Sequence, residues 1–175
     1  AEILRGTPVA VGTVVGFPLG YVHSEARRAE SRQAVADGAQ ELDTVLNISW
    51  LKSGYDRRVL SDLTGWVLAM RTERDGLILK VILETALLTD EEKARGARLT
   101  VEAGADFVKT STGFSKGGAT VENVALLART VGGKIGVKAS GGIRDAATAR
   151  AMIAAGATRL GTSSGVGIVR EASAS

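Results

Sequence analysis

The 175-residue chain is 45% hydrophobic and 23% charged with a net charge of +3, which suits one globular domain and excludes a disordered tail. It contains no cysteine, so disulfides, zinc–thiolate sites and cysteine nucleophiles are excluded. No apolar run approaches the roughly 18 residues of a membrane span, and the basic residues are not interleaved with aromatics, so we expect neither a membrane nor a nucleic-acid partner.

Short apolar runs alternate along the chain with amphipathic stretches at helical spacing. The apolar runs predict six strands: Val9–Val15, Glu41–Asn47, Leu77–Thr85, Ala105–Thr110, Lys134–Ala139 and Arg159–Gly161. The intervening stretches predict helices, with one further helix from Gly165; Ser24, Asp56 and Thr89 are the predicted caps, and Thr120–Val131 and Asp145–Ala155 are the fourth and fifth predicted helices.

The first two predicted helices carry residues whose environment can be inferred from spacing. The first has a small apolar side, which we expect to pack inward: Ala26, Ala29, Ala34 and Val35. Its basic cluster lies beside glutamates, so we interpret it as a solvated helix face: Arg27, Arg28 and Arg32. In the second helix, Trp66 lies beside a helical apolar stripe, which predicts a core position.

Strands that are apolar on both faces and alternate with helices indicate a parallel α/β sheet. Two architectures compete: an open doubly wound sheet and a (β/α)₈ barrel of the TIM type. The first strand ends in GFPLG rather than in the glycine pattern of an open dinucleotide-binding sheet. A barrel places its chemistry at the carboxyl ends of several strands, where this chain has its unusual residues, so we favour a barrel with about six βα units.

Four charged residues interrupt four successive apolar strands: Asp43, Lys80, Lys109 and Lys138. Each alone fits an edge strand or a lysine that reaches solvent. In a barrel, inward positions of different strands meet in layers, so together they predict one pocket. A lysine attacks carbonyls only when neutral, and both burial and a second cation favour the neutral amine, so this cluster is suited to Schiff-base chemistry.

The sequence offers little support for a metal site. His23 is the only histidine, and we interpret it as solvated or structural. No group of carboxylates has the spacing of metal ligands.

Three glycine-rich segments follow the last three predicted strands: Ser111–Gly113, Ser140–Arg144 and Gly161–Gly165. Glycines allow backbone N–H groups to approach an anion, and Ser163 and Ser164 add hydroxyl donors at the start of a helix. If these are the last six of eight strands, the final two loops are the usual phosphate site of barrel enzymes. We therefore predict a phosphate-binding site.

Six segments resemble deoxyribose-phosphate aldolase in order and spacing, over nearly the whole chain: GFPLG, ELDTVLN, LKVILET, GADFVKTSTGF, VKASGGIRD and GATRLGTSSG. This resemblance implies a class I aldolase on a (β/α)₈ barrel. Such an enzyme cleaves 2-deoxy-D-ribose 5-phosphate to acetaldehyde and D-glyceraldehyde 3-phosphate in cytoplasmic deoxyribonucleotide catabolism, without metal or cofactor.

The resemblance also implies residue roles. Lys109 matches the Schiff-base lysine of the family. Lys138 matches the lysine that favours the neutral form of that Schiff-base lysine, and Asp43 matches the proton-relay acid. The phosphate-binding positions it implies are Gly113, Gly141, Gly142, Arg144, Ser163 and Ser164.

Two βα units that the family places before Val9 have no counterpart, so we expect residues 1–175 to form one N-terminally incomplete barrel domain. Trp50 and Thr44 also depart from the family pattern. Unpaired strand edges predict a homo-oligomer. Two alternatives stay open: a Schiff-base aldolase for another sugar phosphate, and a non-catalytic or partner-dependent barrel fragment that retains a phosphate site.

Overall fold

The computed structural model describes residues 2–174, which contain one six-stranded sheet. All neighbouring strands are parallel, and their order in the sheet follows the chain. The strands are β1 (Gly12–Val15), β2 (Glu41–Val45), β3 (Ile78–Ile82), β4 (Phe107–Lys109), β5 (Gly136–Ser140) and β6 (Arg159–Gly161).

The sheet is curled rather than flat. In a flat sheet β2 and β6 would lie about 19 Å apart, at about 4.8 Å per strand spacing. The guanidinium of Arg159 in β6 instead forms an ion pair with the carboxylate of Glu41 in β2. The six strands therefore form most of a barrel wall, as the sequence predicts, and the strand order shows no reversal of the kind found in an open doubly wound sheet.

Helices connect the strands in a repeating βα pattern: α1 (Ser24–Ala36), α2 (Ile48–Lys52), α3 (Asp56–Glu73), α4 (Asp90–Glu102), α5 (Val121–Val131), α6 (Ala146–Ala154) and α7 (Gly165–Ser173). The predicted cap Thr89 is confirmed, since its side chain accepts a hydrogen bond from a backbone N–H of α4. Thr120 and Asp145, predicted as the first residues of their helices, cap α5 and α6 in the same way. None of the helices in residues 2–174 is both long and apolar enough to cross a membrane.

Two predicted caps are wrong by one residue. The cap of α1 is His23, whose Nδ1 accepts from the Glu25 N–H at 3.3 Å, which gives this histidine a structural role. Ser24 is the first helical residue and donates instead to Asp62. The cap of α3 is Tyr55, and Asp56 begins the helix itself.

The interpretation of Arg27 as a solvated residue is wrong. Arg27 is 1% exposed and forms an ion pair of 2.6 Å with Asp62 of α3. Ser31, one turn later, accepts a hydrogen bond from the indole N–H of Trp66 at 2.9 Å. A polar network therefore joins α1 to α3. The alanines Ala26 and Ala29, expected to face inward, are exposed.

β6 has its predicted bounds, whereas the other five strands are shorter than predicted, and residues that follow β2 and β3 form structure of their own. Asn47 caps α2, which was not predicted, by accepting from the Trp50 N–H at 3.0 Å. At the end of β3, Glu84 adopts a left-handed backbone conformation, and a short 3₁₀ turn, Thr85–Leu87, follows. Trp66 is buried in the core between sheet and helices, as predicted.

Candidate active site

Three lysines surround one buried carboxylate inside the curled sheet. The ammonium of Lys80 lies 2.6 Å from Asp43 Oδ1. Those of Lys109 and Lys138 lie 2.8 Å and 2.9 Å from Asp43 Oδ2. The structure thus brings together the four charged residues that the sequence places in one pocket.

Strand register explains this convergence. Asp43 is paired with Lys80 across β2 and β3, and Lys109 with Lys138 across β4 and β5. Alternate residues of a strand point to the same face, so these four side chains all enter the interior of the curl. Gly12, Thr13, Val14 and Glu41 line the same pocket, so the four charged groups face one another in a largely polar interior.

The ionisation of Asp43 is governed by two opposing influences. Burial raises the pKa of this carboxyl. The positive charges of Lys109 and Lys138 and the hydrogen bonds from the lysines lower the pKa by more than burial raises it, so the pKa lies well below its ordinary value. Asp43 therefore stays ionised at neutral pH and accepts protons only from strong donors.

Lys138 has the opposite tendency. Burial lowers the pKa of its ammonium, and the nearby Lys109 and Lys80 lower it further, while the Asp43 carboxylate partly opposes them. Lys138 is consequently easier to deprotonate than an ordinary lysine. Such a group is suited to taking up and returning a proton during a reaction.

A second carboxylate extends the cluster and was missed at the sequence level. Glu41 Oε2 lies 2.8 Å from the Lys80 ammonium and also pairs with Arg159, which stacks 4.9 Å from the centre of the Phe107 ring. Burial raises the pKa of Glu41, but Lys80 and Arg159 lower it below its ordinary value. Glu41 lies two positions before Asp43 on the same strand face, a spacing that predicts this placement.

The predicted phosphate residues lie in three adjoining loops beyond β4, β5 and β6. Gly113, Gly142, Arg144 and Ser163 are exposed, and Ser164 is half-buried at the N-terminus of α7 without a capping hydrogen bond of its side chain. The loops touch one another: Thr162 donates to the Ile143 carbonyl at 2.6 Å.

Gly141 is fixed by a close backbone approach. Its φ is +93°, and a Cβ there would lie 2.9 Å from the Cα of Gly118. The Gly141 carbonyl accepts from the Ala119 N–H at 3.0 Å, which binds the β5 loop to the segment that follows β4. The loop conformation thus requires glycine at position 141 for steric reasons.

Comparison with known proteins places this geometry in a family. The family described as "DeoC/LacD family aldolase" matches residues 4–172. A deoxyribose-phosphate aldolase of Brevibacillus brevis is 58% identical over 169 residues, which cover 97% of this chain and 75% of the relative. A deoxyribose-phosphate aldolase of a Geobacillus strain is 55% identical over 97% of this chain and 74% of the relative.

Solved structures agree with these sequence matches. The aldolase QR15 superimposes with a TM-score of 0.89 at 45% identity, covering 97% of this chain and 75% of that protein. The deoxyribose phosphate aldolase of Aeropyrum pernix, described as having a unique tetrameric structure, gives 0.89 at 34% identity over 98% of this chain and 71% of that one. The six-stranded curl therefore has the TIM-barrel type of fold.

Proposed function

This chain belongs to the DeoC/LacD family of aldolases, and on that premise we propose that it cleaves 2-deoxy-D-ribose 5-phosphate to acetaldehyde and D-glyceraldehyde 3-phosphate. The observation that carries the proposal is the lysine cluster around Asp43, because a buried amine among cations suits Schiff-base formation. We assign this activity to the cytoplasm as part of the same proposal.

Lys109 is the proposed nucleophile. Its neutral amine attacks the C1 aldehyde of the open-chain sugar, and loss of water gives a protonated imine. The C2–C3 bond then breaks, its electron pair enters the C1–C2 enamine, and the C3 hydroxyl loses its proton as glyceraldehyde 3-phosphate leaves. Protonation of the enamine at C2 and addition of water release acetaldehyde and restore the amine.

We propose that Lys138 carries protons in this sequence and that Asp43, which stays ionised, holds the reacting groups together. Asp43 Oδ2 lies 2.8 Å from the ammonium nitrogen of Lys109 and 2.9 Å from that of Lys138, so a proton has a short path among the three groups. Lys138 supplies a readily deprotonated amine, and ionised Asp43 stabilises the cationic imine. We propose this division of roles for the two residues.

The phosphate of the substrate binds, in this proposal, at Gly113, Gly141, Gly142, Arg144, Ser163 and Ser164. Ser164→Asp is expected to raise the KM for deoxyribose 5-phosphate about tenfold or more, because two negative charges then lie within a few ångströms of each other. Activity on unphosphorylated deoxyribose should change by less than about twofold, since that substrate lacks the charge.

Ser164→Asn provides the matched control, because it has the size of aspartate without its charge. Steady-state kinetics on both substrates measure the effect. Equal losses on the phosphorylated and the unphosphorylated sugar would count against a phosphate site at Ser164.

A homo-oligomer is the assembly we propose. Among the described residues, β1 and β6 each pair with a strand on one side only, which leaves backbone groups on their other edges unpaired. Such edges favour association. Size-exclusion chromatography with light scattering should therefore find an oligomer, and a monomer that melts in one cooperative transition would contradict this prediction.

A further inference from the structure

Glu84, immediately beyond β3, has an unusual backbone and an unusual environment. It is 3% exposed, and it is the one non-glycine with a positive φ, +57°, in the part of the chain that the structure describes. Residues other than glycine rarely adopt this backbone conformation, and they do so where surrounding contacts hold them in it. The contacts of its carboxylate therefore indicate what the conformation achieves.

The Glu84 carboxylate binds the turn after β4 rather than the lysine cluster. Its Oε2 accepts from the Thr112 N–H at 3.2 Å and from the Thr112 hydroxyl. The Thr112 oxygen in turn accepts from the Phe114 N–H at 3.0 Å. Gly113, a proposed phosphate-binding residue, lies between these two anchored residues.

The backbone on both sides of Glu84 is joined to the strand that carries the proposed nucleophile. The Leu83 N–H donates to the Lys109 carbonyl at 3.0 Å, and the Thr85 N–H donates to the Thr110 carbonyl at 2.9 Å. The segment from Leu83 to Thr85 therefore binds both the end of β4 and the turn that follows it. A shift of this segment would displace the turn relative to Lys109.

We propose that Glu84 is a positioning residue that fixes the phosphate-binding turn through Thr112. This inference rests on the function proposed above. Its carboxylate makes no hydrogen bond to Asp43 or to a lysine among the described residues, so its effect reaches the substrate only through the turn. The left-handed conformation directs a charged acceptor at both donors of Thr112, which glycine at this position could not supply.

Glu84→Gly tests the proposal without penalising the backbone, because glycine adopts a positive φ freely. We expect the KM for deoxyribose 5-phosphate to rise about tenfold or more, as is typical when hydrogen bonds to a charged group are lost. The rate at which acetaldehyde and borohydride modify the protein should stay within about twofold, since acetaldehyde has no phosphate to bind.

Thr112→Val removes the hydroxyl donor while retaining the side-chain shape. If Glu84 acts through Thr112, the double variant should be no worse than the more impaired single variant. Thr85→Val is the matched control: Thr85 is adjacent and 1% exposed, and its hydroxyl has no hydrogen-bond partner in the structure. This control should retain the KM of the unsubstituted protein.

Binding of inorganic phosphate, measured by calorimetry, provides a readout that requires no turnover. Weaker phosphate binding by Glu84→Gly supports the proposal even if the unsubstituted protein fails to react with acetaldehyde, a failure that would contradict the aldolase function alone. Unchanged phosphate affinity, equal losses on phosphorylated and unphosphorylated sugars, or fully additive effects of Glu84→Gly and Thr112→Val would overturn it.

Discussion

Lys109→Leu is expected to abolish covalent labelling by acetaldehyde and borohydride and to lower aldolase turnover at least about a thousandfold, because no amine remains to form the imine. Leucine is apolar and occupies no more space than lysine, which suits a site whose side-chain exposure is 9%. Digestion of the labelled, unsubstituted protein followed by mass spectrometry should place the ethyl adduct on Lys109.

Lys138 is the competing nucleophile, because burial lowers the pKa of its ammonium and so favours the reactive amine. We expect Lys138→Leu to leave the adduct on Lys109 and to slow its formation, since a proton carrier beside it is lost. Lys80, held between two carboxylates at 2.6 Å and 2.8 Å, should stay unlabelled.

Lys134→Leu is the control for loss of a lysine, since Lys134 is exposed and lies outside the cluster. It should label like the unsubstituted protein. An adduct found mainly on Lys138 or Lys80 would overturn the assignment of Lys109. Absence of any adduct on a folded sample would instead favour a phosphate-binding protein without catalysis.

The convergence of the four charged strand residues could be predicted because it depends on two simple properties. Aspartate and lysine are rarely buried unless paired, and a parallel barrel brings inward strand positions together. The sequence does not determine which atoms pair, because this depends on strand register and curvature. The single carboxylate Asp43, shared by three lysines, emerges only from the structure.

Contacts between segments that are distant in the sequence explain why the burial of Arg27 and the pairing of Glu41 were not predicted. Arg27 is buried because Asp62, 35 residues later, faces it on a neighbouring helix. Arg159 reaches Glu41 across 118 residues and the interior of the curl. A helical charge pattern reports only neighbours within a turn or two, so such partners leave no local signal.

Asp43→Asn is expected to destabilise the protein at neutral pH by about 3–5 kcal/mol, because removing one partner of a buried charge cluster leaves the other charges uncompensated. Asparagine retains the shape and loses the charge that three ammonium groups share. Turnover should fall at least about a hundredfold, since the cationic imine loses its counter-charge. Urea denaturation and steady-state kinetics measure the two effects.

Asp75→Asn is the matched control, because Asp75 is exposed and forms no ion pair within residues 2–174. Its replacement should change the free energy of unfolding by less than about 0.5 kcal/mol. A similar loss in both variants would show that the loss of one negative charge, rather than its place in the cluster, causes the effect.

The stability deficit of Asp43→Asn should also depend on pH in a defined direction. The Asp43 carboxylate opposes the lowering of the Lys138 pKa, so its removal makes Lys138 still easier to deprotonate in the folded state. The unfolded chain, in which a lysine has a pKa of about 10.4, then binds more protons than the folded one, and stability rises with pH.

In the unsubstituted protein the Asp43 pairing is complete at neutral pH, because the pKa of that carboxyl is strongly lowered. We therefore expect the deficit of the variant to narrow as the pH is raised from neutral toward about 10. A deficit that stays constant over this range would show that Lys138 remains protonated without its carboxylate, which would contradict its role as a proton carrier.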